Sequence, residues 1–275
     1  MLPKAIVMVV IAIVVVGGGT AAFLMTRGPS KAYELYYDYQ VGEYYVYETA
    51  TSTTMDDTVM EEFSTYSMQV TAVNNNEITC KYIETIGNIG PPQYEVIIES
   101  AEVTMEMKMT NKGKMISWEI ESVVPLELWE NVELYENSQM MYGQLFESLY
   151  MFSSASISIG QEWETSISGE IEWMPGTYML LMGEGSTHFV GQENVTVEAG
   201  TFDCWRLDHG ASISGELVDT PFTMDMTLEG TSWYSKQNCA EVKMTMSMTM
   251  SMGFGDDKME YLTDTVMELV EYGTI

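Results

Sequence analysis

Basic residues are scarce in this chain: 11 lysines and arginines stand against 41 aspartates and glutamates, a net charge of −30 over 275 residues. Nucleic-acid binding requires basic patches that neutralise phosphates, so that class of partner is excluded. Anionic lipid surfaces are disfavoured on the same ground. Histidine is scarcer still: His188 and His209 are the only two, and neither has a second ligand at metal spacing. Cys80, Cys204 and Cys239 are too few for a disulfide scaffold and lack zinc-ligand spacing. Outside the cytoplasm they permit one disulfide and one leftover thiol, or buried thiols with no bridge. The chain also has no Gly-x-Ser-x-Gly elbow, no Walker loop, no paired dinucleotide glycines and no EF-hand loop. Carboxylate pairs such as Glu61-Glu62 do not fill the gap, because adjacent strand residues point to opposite faces. With no assembled catalytic constellation, the expectation is a protein that is not an enzyme and carries no cofactor.

The acidic excess reads first as the solubilising coat of an exported protein living in salt. Loose divalent-cation binding by Asp56-Asp57 or Asp256-Asp257 is the sharper alternative.

Against these absences stands one long apolar run, Ala5 to Thr26, uncharged and closed by Lys4 and Arg27. As a helix it spans roughly 30 Å, the thickness of a bilayer's hydrocarbon core. A secretory signal peptide competes with this reading, with Ala5 to Val16 as its apolar region and Gly19-Thr20-Ala21 resembling a cleavage site. Phe23, Leu24 and Met25 prolong the run beyond what a signal peptide needs. The expectation is therefore a retained single-pass anchor over residues 1–27. Residues 28–275 then form one extracytoplasmic domain tethered at the cell membrane. Lys4 and the amino terminus balance Arg27 and Lys31, so the charge rule leaves orientation open. The four-residue tail before the run is too short to be a domain, which places the rest outside. No cysteine follows the run to accept a lipid.

Beyond residue 28 helical periodicity nearly vanishes and period-two alternation recurs. Tyr66, Met68, Val70 and Ala72 alternate with polar neighbours, Asn74-Asn75-Asn76 forms a turn, and Ile78, Cys80 and Tyr82 continue the pattern. Val103, Met105, Met107 and Met109 share one face before an Asn111–Lys114 turn. The pattern predicts a mainly-β domain built as an antiparallel meander. One exception runs from Leu126 to Phe152, where Met141, Leu145, Leu149 and Phe152 fall on a helical stripe after Pro125. A lone helix among strands should cover a sheet's apolar face. "YQVGEYYVYET" (Tyr39–Thr49) and "ISIGQEWETSI" (Ile157–Ile167) repeat weakly. They suggest one continuous sheet of two similar halves, about 32–124 and 155–275, joined by helical 126–152.

Methionine is the unusual abundance, with 25 copies. Met244, Met246, Met248, Met250 and Met252 alternate with Thr and Ser; Met224 with Met226, and Met105, Met107 and Met109, give further stripes. Strict alternation sends each stripe to one face. Three readings stand: core packing beneath a curved sheet, an adaptable cavity for an acyl chain or other hydrophobic ligand, and Cu(I) capture by thioethers. Copper sites want methionines gathered with His or Cys support, which is not visible here. Asn194-Val195-Thr196 is a glycosylation sequon at Asn194.

Two motifs carry a family resemblance, "GQENVTVEAGTFDCWRLDH" (Gly191–His209) and "WYSKQNCAEVKMTM" (Trp233–Met246), preceded by "SIGQEWE". They resemble a pattern of uncharacterised exported prokaryotic proteins similar to the lipoprotein-carrier β-clam. The resemblance covers about half the chain. It implies a curved antiparallel half-barrel over a helical segment, and a role in holding or ferrying an apolar ligand such as lipid. Cys239 stands where the pattern has glycine and Glu198 where it commonly has proline. The two motif strands should lie close in one sheet, so the resemblance implies a Cys204–Cys239 disulfide with Cys80 reduced. The resulting expectation is a membrane-tethered, non-enzymatic binder of an apolar ligand. A structural or adhesive surface protein with a packed interior is the alternative, and a secreted hydrolase the third. A solvent-open cavity separates the first two, and convergent carboxylates of shifted pKa would favour the third.

Overall fold

The computed structural model describes residues 23–25, 32–55, 58–89, 98–113, 115–124, 156–174, 177–237, 240–255 and 257–275. They build thirteen strands: β1 (Phe23–Met25), β2 (Tyr33–Leu35), β3 (Glu43–Met55), β4 (Thr58–Asn74), β5 (Glu77–Ile89), β6 (Ile98–Thr110), β7 (Met115–Val124), β8 (Glu162–Met174), β9 (Thr177–Val197), β10 (Gly200–Leu217), β11 (Phe222–Ser235), β12 (Glu241–Phe254) and β13 (Asp257–Thr274). Among the described residues no helix is long and apolar enough to cross a membrane.

Alternation decides the faces and turn residues decide the reversals. Asn75 closes the β4–β5 hairpin at φ 55°, and Asp219 lies between β10 and β11 at φ 62°; both residue types tolerate this left-handed region better than most. Eleven strands form one antiparallel sheet in the order β7-β6-β5-β4-β3-β13-β12-β11-β10-β9-β8. Two meanders are thus laid side by side. One runs outward from β3 to β7, the other inward from β8 to β13, and they join where β13 pairs with β3. Strands β7 and β8 are the edges and do not pair with each other, so the sheet is open.

Two devices fold this sheet over its own interior. Val190 is an extra residue in β9, since Arg206 lies opposite Gly191 but Leu207 opposite Phe189. Such a bulge bends a strand and sharpens its twist. Beyond it the β9–β10 hairpin reaches β13, where the Ala199 N–H donates to the Leu269 carbonyl at 3.3 Å and the Phe202 and Tyr272 rings meet at 5.6 Å. The second device is a strap ahead of β3. Tyr33 exchanges both backbone hydrogen bonds with Ile157, at 2.6 and 2.8 Å, and the Tyr37 N–H donates to the Asn111 carbonyl at 2.8 Å. Ile157 adjoins β8 and Asn111 follows β6, so a short extended segment links the two sides of the sheet. Tyr33, Tyr37 and Tyr39 along it are all buried.

Phe23, Leu24 and Met25 are the described part of the apolar amino-terminal run. At the far end of that run they form β1, with Phe23 opposite Leu35 and Met25 opposite Tyr33. Pairing with β2 gives this stretch's backbone partners that a helix would have found within itself. The rest of the expected anchor, residues 1–22, and the expected covering segment 126–152 with Leu145 and Leu149 lie outside the described residues.

Candidate functional site, the inner face of the sheet

The inner face divides into three bands along the strand direction. The first is aromatic. Trp205 packs against Tyr33 at 4.7 Å and Phe189 at 5.3 Å, and Tyr47 stacks on Tyr66 at 4.7 Å and 18°. The third is the methionine field: Met179, Met224, Met226, Met246, Met248, Met250 and Met252, joined by Leu181, Ile213, Leu217, Leu228 and Tyr261. Gly215 makes room within it. A Cβ there would stand 3.0 Å from the Met179 sulfur and 3.2 Å from the Met224 Cε, so the missing side chain lets these methionines meet.

Between them runs a belt of buried hydroxyls and one imidazole. Thr51 bonds Thr265 and Thr53 bonds Thr263, each at 3.2 Å, and Thr187 Oγ1 lies 3.1 Å from His209 Nδ1. Burial pushes His209 down to about 4, opposed in part by Asp208.

All ten methionines singled out in the sequence are buried, but the structure does not bring them all together. Met224, Met226, Met246, Met248, Met250 and Met252 share one field. Met244 belongs to the aromatic band, as do Met105, Met107 and Met109. On the sheet, β6 is separated from β12 by β5, β4, β3 and β13, about 24 Å at the usual strand spacing. Alternation identifies a residue's face and is blind to that distance.

Sequence reasoning missed the inward carboxyls. Glu84 is 2 % exposed and Glu241 0 % exposed. Glu84 sits among the alternating apolar positions of β5, a signal that the excess of acids concealed; Glu241 is out of phase with Met244–Met252 and lies inside where the β11–β12 register shifts between Trp233 and Tyr234. Burial pushes Glu84 up to about 8, with the charge of Glu62 adding to it, and pushes Glu62 up to about 7. Glu241 is raised well above the usual carboxylate range by burial, which the Ser232 and Tyr234 hydroxyls only partly offset.

These shifts set a pH dependence. The native state holds a proton on Glu84 that the unfolded chain releases in the ordinary carboxylate range, so the unfolded state binds fewer protons between about 4.5 and 8. Stability contributed at this residue is therefore present in acid and lost as pH rises through that window. The substitution Glu84→Gln should raise the thermal midpoint at pH 9 and leave it near parental at pH 4. Equal shifts at both pH values would refute the assignment. His209 acts with the opposite sign: its stability is lost as pH falls from 6.5 towards 4.

The outer face carries a groove of about 650 Å³ over Gly210 and Gly230, with Ser186, His188, Asp208, Glu229 and Asp264 among its lining residues. The register places His188 opposite Asp208, a neighbourhood that chain spacing alone does not show. Asp208 is already engaged, by Arg206 at 3.0 and 3.2 Å and by the Thr231 hydroxyl at 2.8 Å. Among the described residues no group of three or more His, Cys, Asp or Glu side chains is placed to hold a metal ion.

The two motif strands, β10 and β11, are neighbours, with Cys204 opposite Ser235. Cys204 is a buried free thiol whose Sγ–H faces the Phe202 carbonyl at 3.6 Å, and Cys80 is also free and buried. Burial pushes both thiols up to about 12. Cys239 lies outside the described residues, as do Asp56, Asp57 and Asp256. Asn194 is exposed on β9 opposite Asp203, accessible as a sequon must be.

No protein-family model and no curated protein matches the chain. Solved structures similar to it include a Bacteroides fragilis protein described as exported with a YmcC-like fold, at 12% identity and a TM-score of 0.31, covering 87% of this chain and 99% of that one. A Parabacteroides distasonis protein described as a lipoprotein aligns at 13% identity and a TM-score of 0.35, covering 86% and 97%. The hypothetical lipoprotein YmcC of Escherichia coli aligns at 10% identity and a TM-score of 0.28, covering 86% and 93%.

Proposed function

We propose that this chain is a membrane-tethered, extracytoplasmic, non-enzymatic protein that holds an apolar ligand such as lipid against the methionine field of its inner face. The observation that carries the reading is the gathering of Met224, Met226, Met246, Met248, Met250 and Met252 with Met179 in one buried patch of the sheet. Thioethers on unbranched side chains adapt to a hydrocarbon of variable shape better than branched aliphatics do. The sequence resemblance to the lipoprotein-carrier β-clam and the apolar amino-terminal run favour the same reading. The inward carboxyls Glu84 and Glu241 are 2 % and 0 % exposed, whereas a hydrolase needs its carboxyls within reach of substrate and water.

Native mass spectrometry of the full chain, released from detergent, tests the proposal. The expected spectrum shows one added hydrocarbon-chain molecule per protein. That addition should disappear when Met226 and Met250 are both replaced by Trp, which fills the space the chain would occupy. A bare mass for the folded parent would overturn the reading in favour of a structural surface protein with a packed interior.

A further inference from the structure

Near its start β9 abandons the alternation that the rest of the sheet keeps. Met179 and Leu181 point inward and belong to the methionine field. Tyr178, Leu180 and Met182 between and beside them point outward, 41 %, 44 % and 63 % exposed. Five consecutive apolar residues make this stretch apolar on both faces, the pattern of a strand covered from both sides. Further along the outer face β9 returns to Glu184, Ser186 and His188. Val218, 41 % exposed, lengthens the ridge, and its N–H donates to the Tyr178 carbonyl at 2.9 Å. The other large apolar side chains exposed on the outer sheet face are interrupted. Glu61 separates Val59 from Phe63 on β4, and Asp264 separates Leu262 from Val266 on β13. A continuous exposed apolar strip of this kind marks a surface that something else covers.

The border of the ridge decides what that is. Glu170 on β8 and Glu216 on β10 both lie opposite Leu180, each about 5 Å away at the usual strand spacing. Glu184 follows Met182 on β9 itself. All three are exposed, and none pairs with a basic side chain among the described residues. A second copy laid on the ridge would bring the same carboxylates against one another, and facing like charges repel. Residues 126–152 of this chain carry Glu127, Glu130, Glu133, Glu136 and Glu147 and no lysine or arginine, so the same repulsion acts on them. Anionic lipid meets it too. The complementary surface is an apolar strip edged with positive charge.

We infer that the outer ridge Tyr178–Leu180–Met182 docks another protein, through a segment whose apolar strip is bordered by lysines or arginines. The ridge lies on the opposite face from the methionine field, and the inference is independent of the apolar-ligand reading.

A synthetic amphipathic helix of leucine and lysine is the probe. Its binding to the full chain in phosphatidylcholine nanodiscs, with empty nanodiscs as blank, is measured at about 0.15 M and about 0.5 M salt. Replacing Leu180 and Met182 together by Ser should weaken binding at least tenfold, while Phe63→Ser, equally exposed on the same outer face, should not change it. Glu170→Gln with Glu216→Gln should weaken binding severalfold and flatten its salt dependence. A matched helix of leucine and glutamate should bind at least tenfold more weakly than the lysine helix. No binding of the lysine helix, or an affinity that the Leu180 and Met182 substitutions leave unchanged, overturns the inference. Crosslinking of the parent into dimers that Met182→Glu abolishes overturns it in favour of a second copy. Capture of phosphatidylcholine vesicles that the same substitution abolishes overturns it in favour of a membrane.

Discussion

Replacing Met250 by Glu should unfold the protein at neutral pH. Met250 is 2 % exposed, lies opposite Tyr261 on β13 and Met226 on β11, and has Met248 and Met252 beside it on its own face. The members of that field carry no positive charge to pair with a carboxylate. A buried, unpaired charge costs several kcal/mol even after the group protonates. That is comparable with most of the 5–15 kcal/mol that holds an ordinary domain together. The matched substitution Met250→Leu roughly conserves volume and should cost less than about 1.5 kcal/mol. Denaturant unfolding of the two variants beside the parent decides the matter. A Met250→Glu protein with the parental midpoint would show that this face is not interior at all, and the ligand proposal would fall with it.

Trp205→Ala should be the most damaging truncation in the aromatic band, at about 3–5 kcal/mol, the usual range for removing a buried tryptophan. Trp205 is 1 % exposed. Its ring meets Tyr33 and Phe189, and the Lys236 ammonium sits 4.4 Å from its centroid, a position that Lys236 holds through Asp203 at 2.8 Å. Tyr33 belongs to the strap and Phe189 to the start of the bend at Val190. Loss of Trp205 should thus loosen the strap as well as lower global stability. Amide exchange of Tyr33 and Tyr37, whose N–H groups bond Ile157 and Asn111, should accelerate more than global destabilisation accounts for. If the midpoint falls but these two amides exchange in step with the rest, the strap is held by something other than Trp205.

The strands and their faces were legible in the chain alone. Alternation at Tyr66–Val70, Ile78–Tyr82, Val103–Met109 and Met244–Met252 assigns side chains to the buried face that are buried in the fold. The Asn74-Asn75-Asn76 turn is where the chain reverses, with Asn75 at positive φ. Each of these is a local property, set by the two-residue repeat of the strand and by the backbone freedom of single residues. The chain alone also fixes the charge balance, 11 basic residues against 41 acidic ones, which no fold can alter. Tertiary structure decided everything that depends on which strand lies beside which. The junction of β3 with β13, more than two hundred residues apart, follows from no local signal, because alternation records a face and carries no record of a neighbour. That junction is what brings Leu269 beside Tyr47 and Tyr66, and what parts Met105, Met107 and Met109 from the methionines of β11 and β12. The strand at Phe23–Met25 likewise depends on its partner, Tyr33–Leu35, since an apolar run without alternation carries no local strand signal.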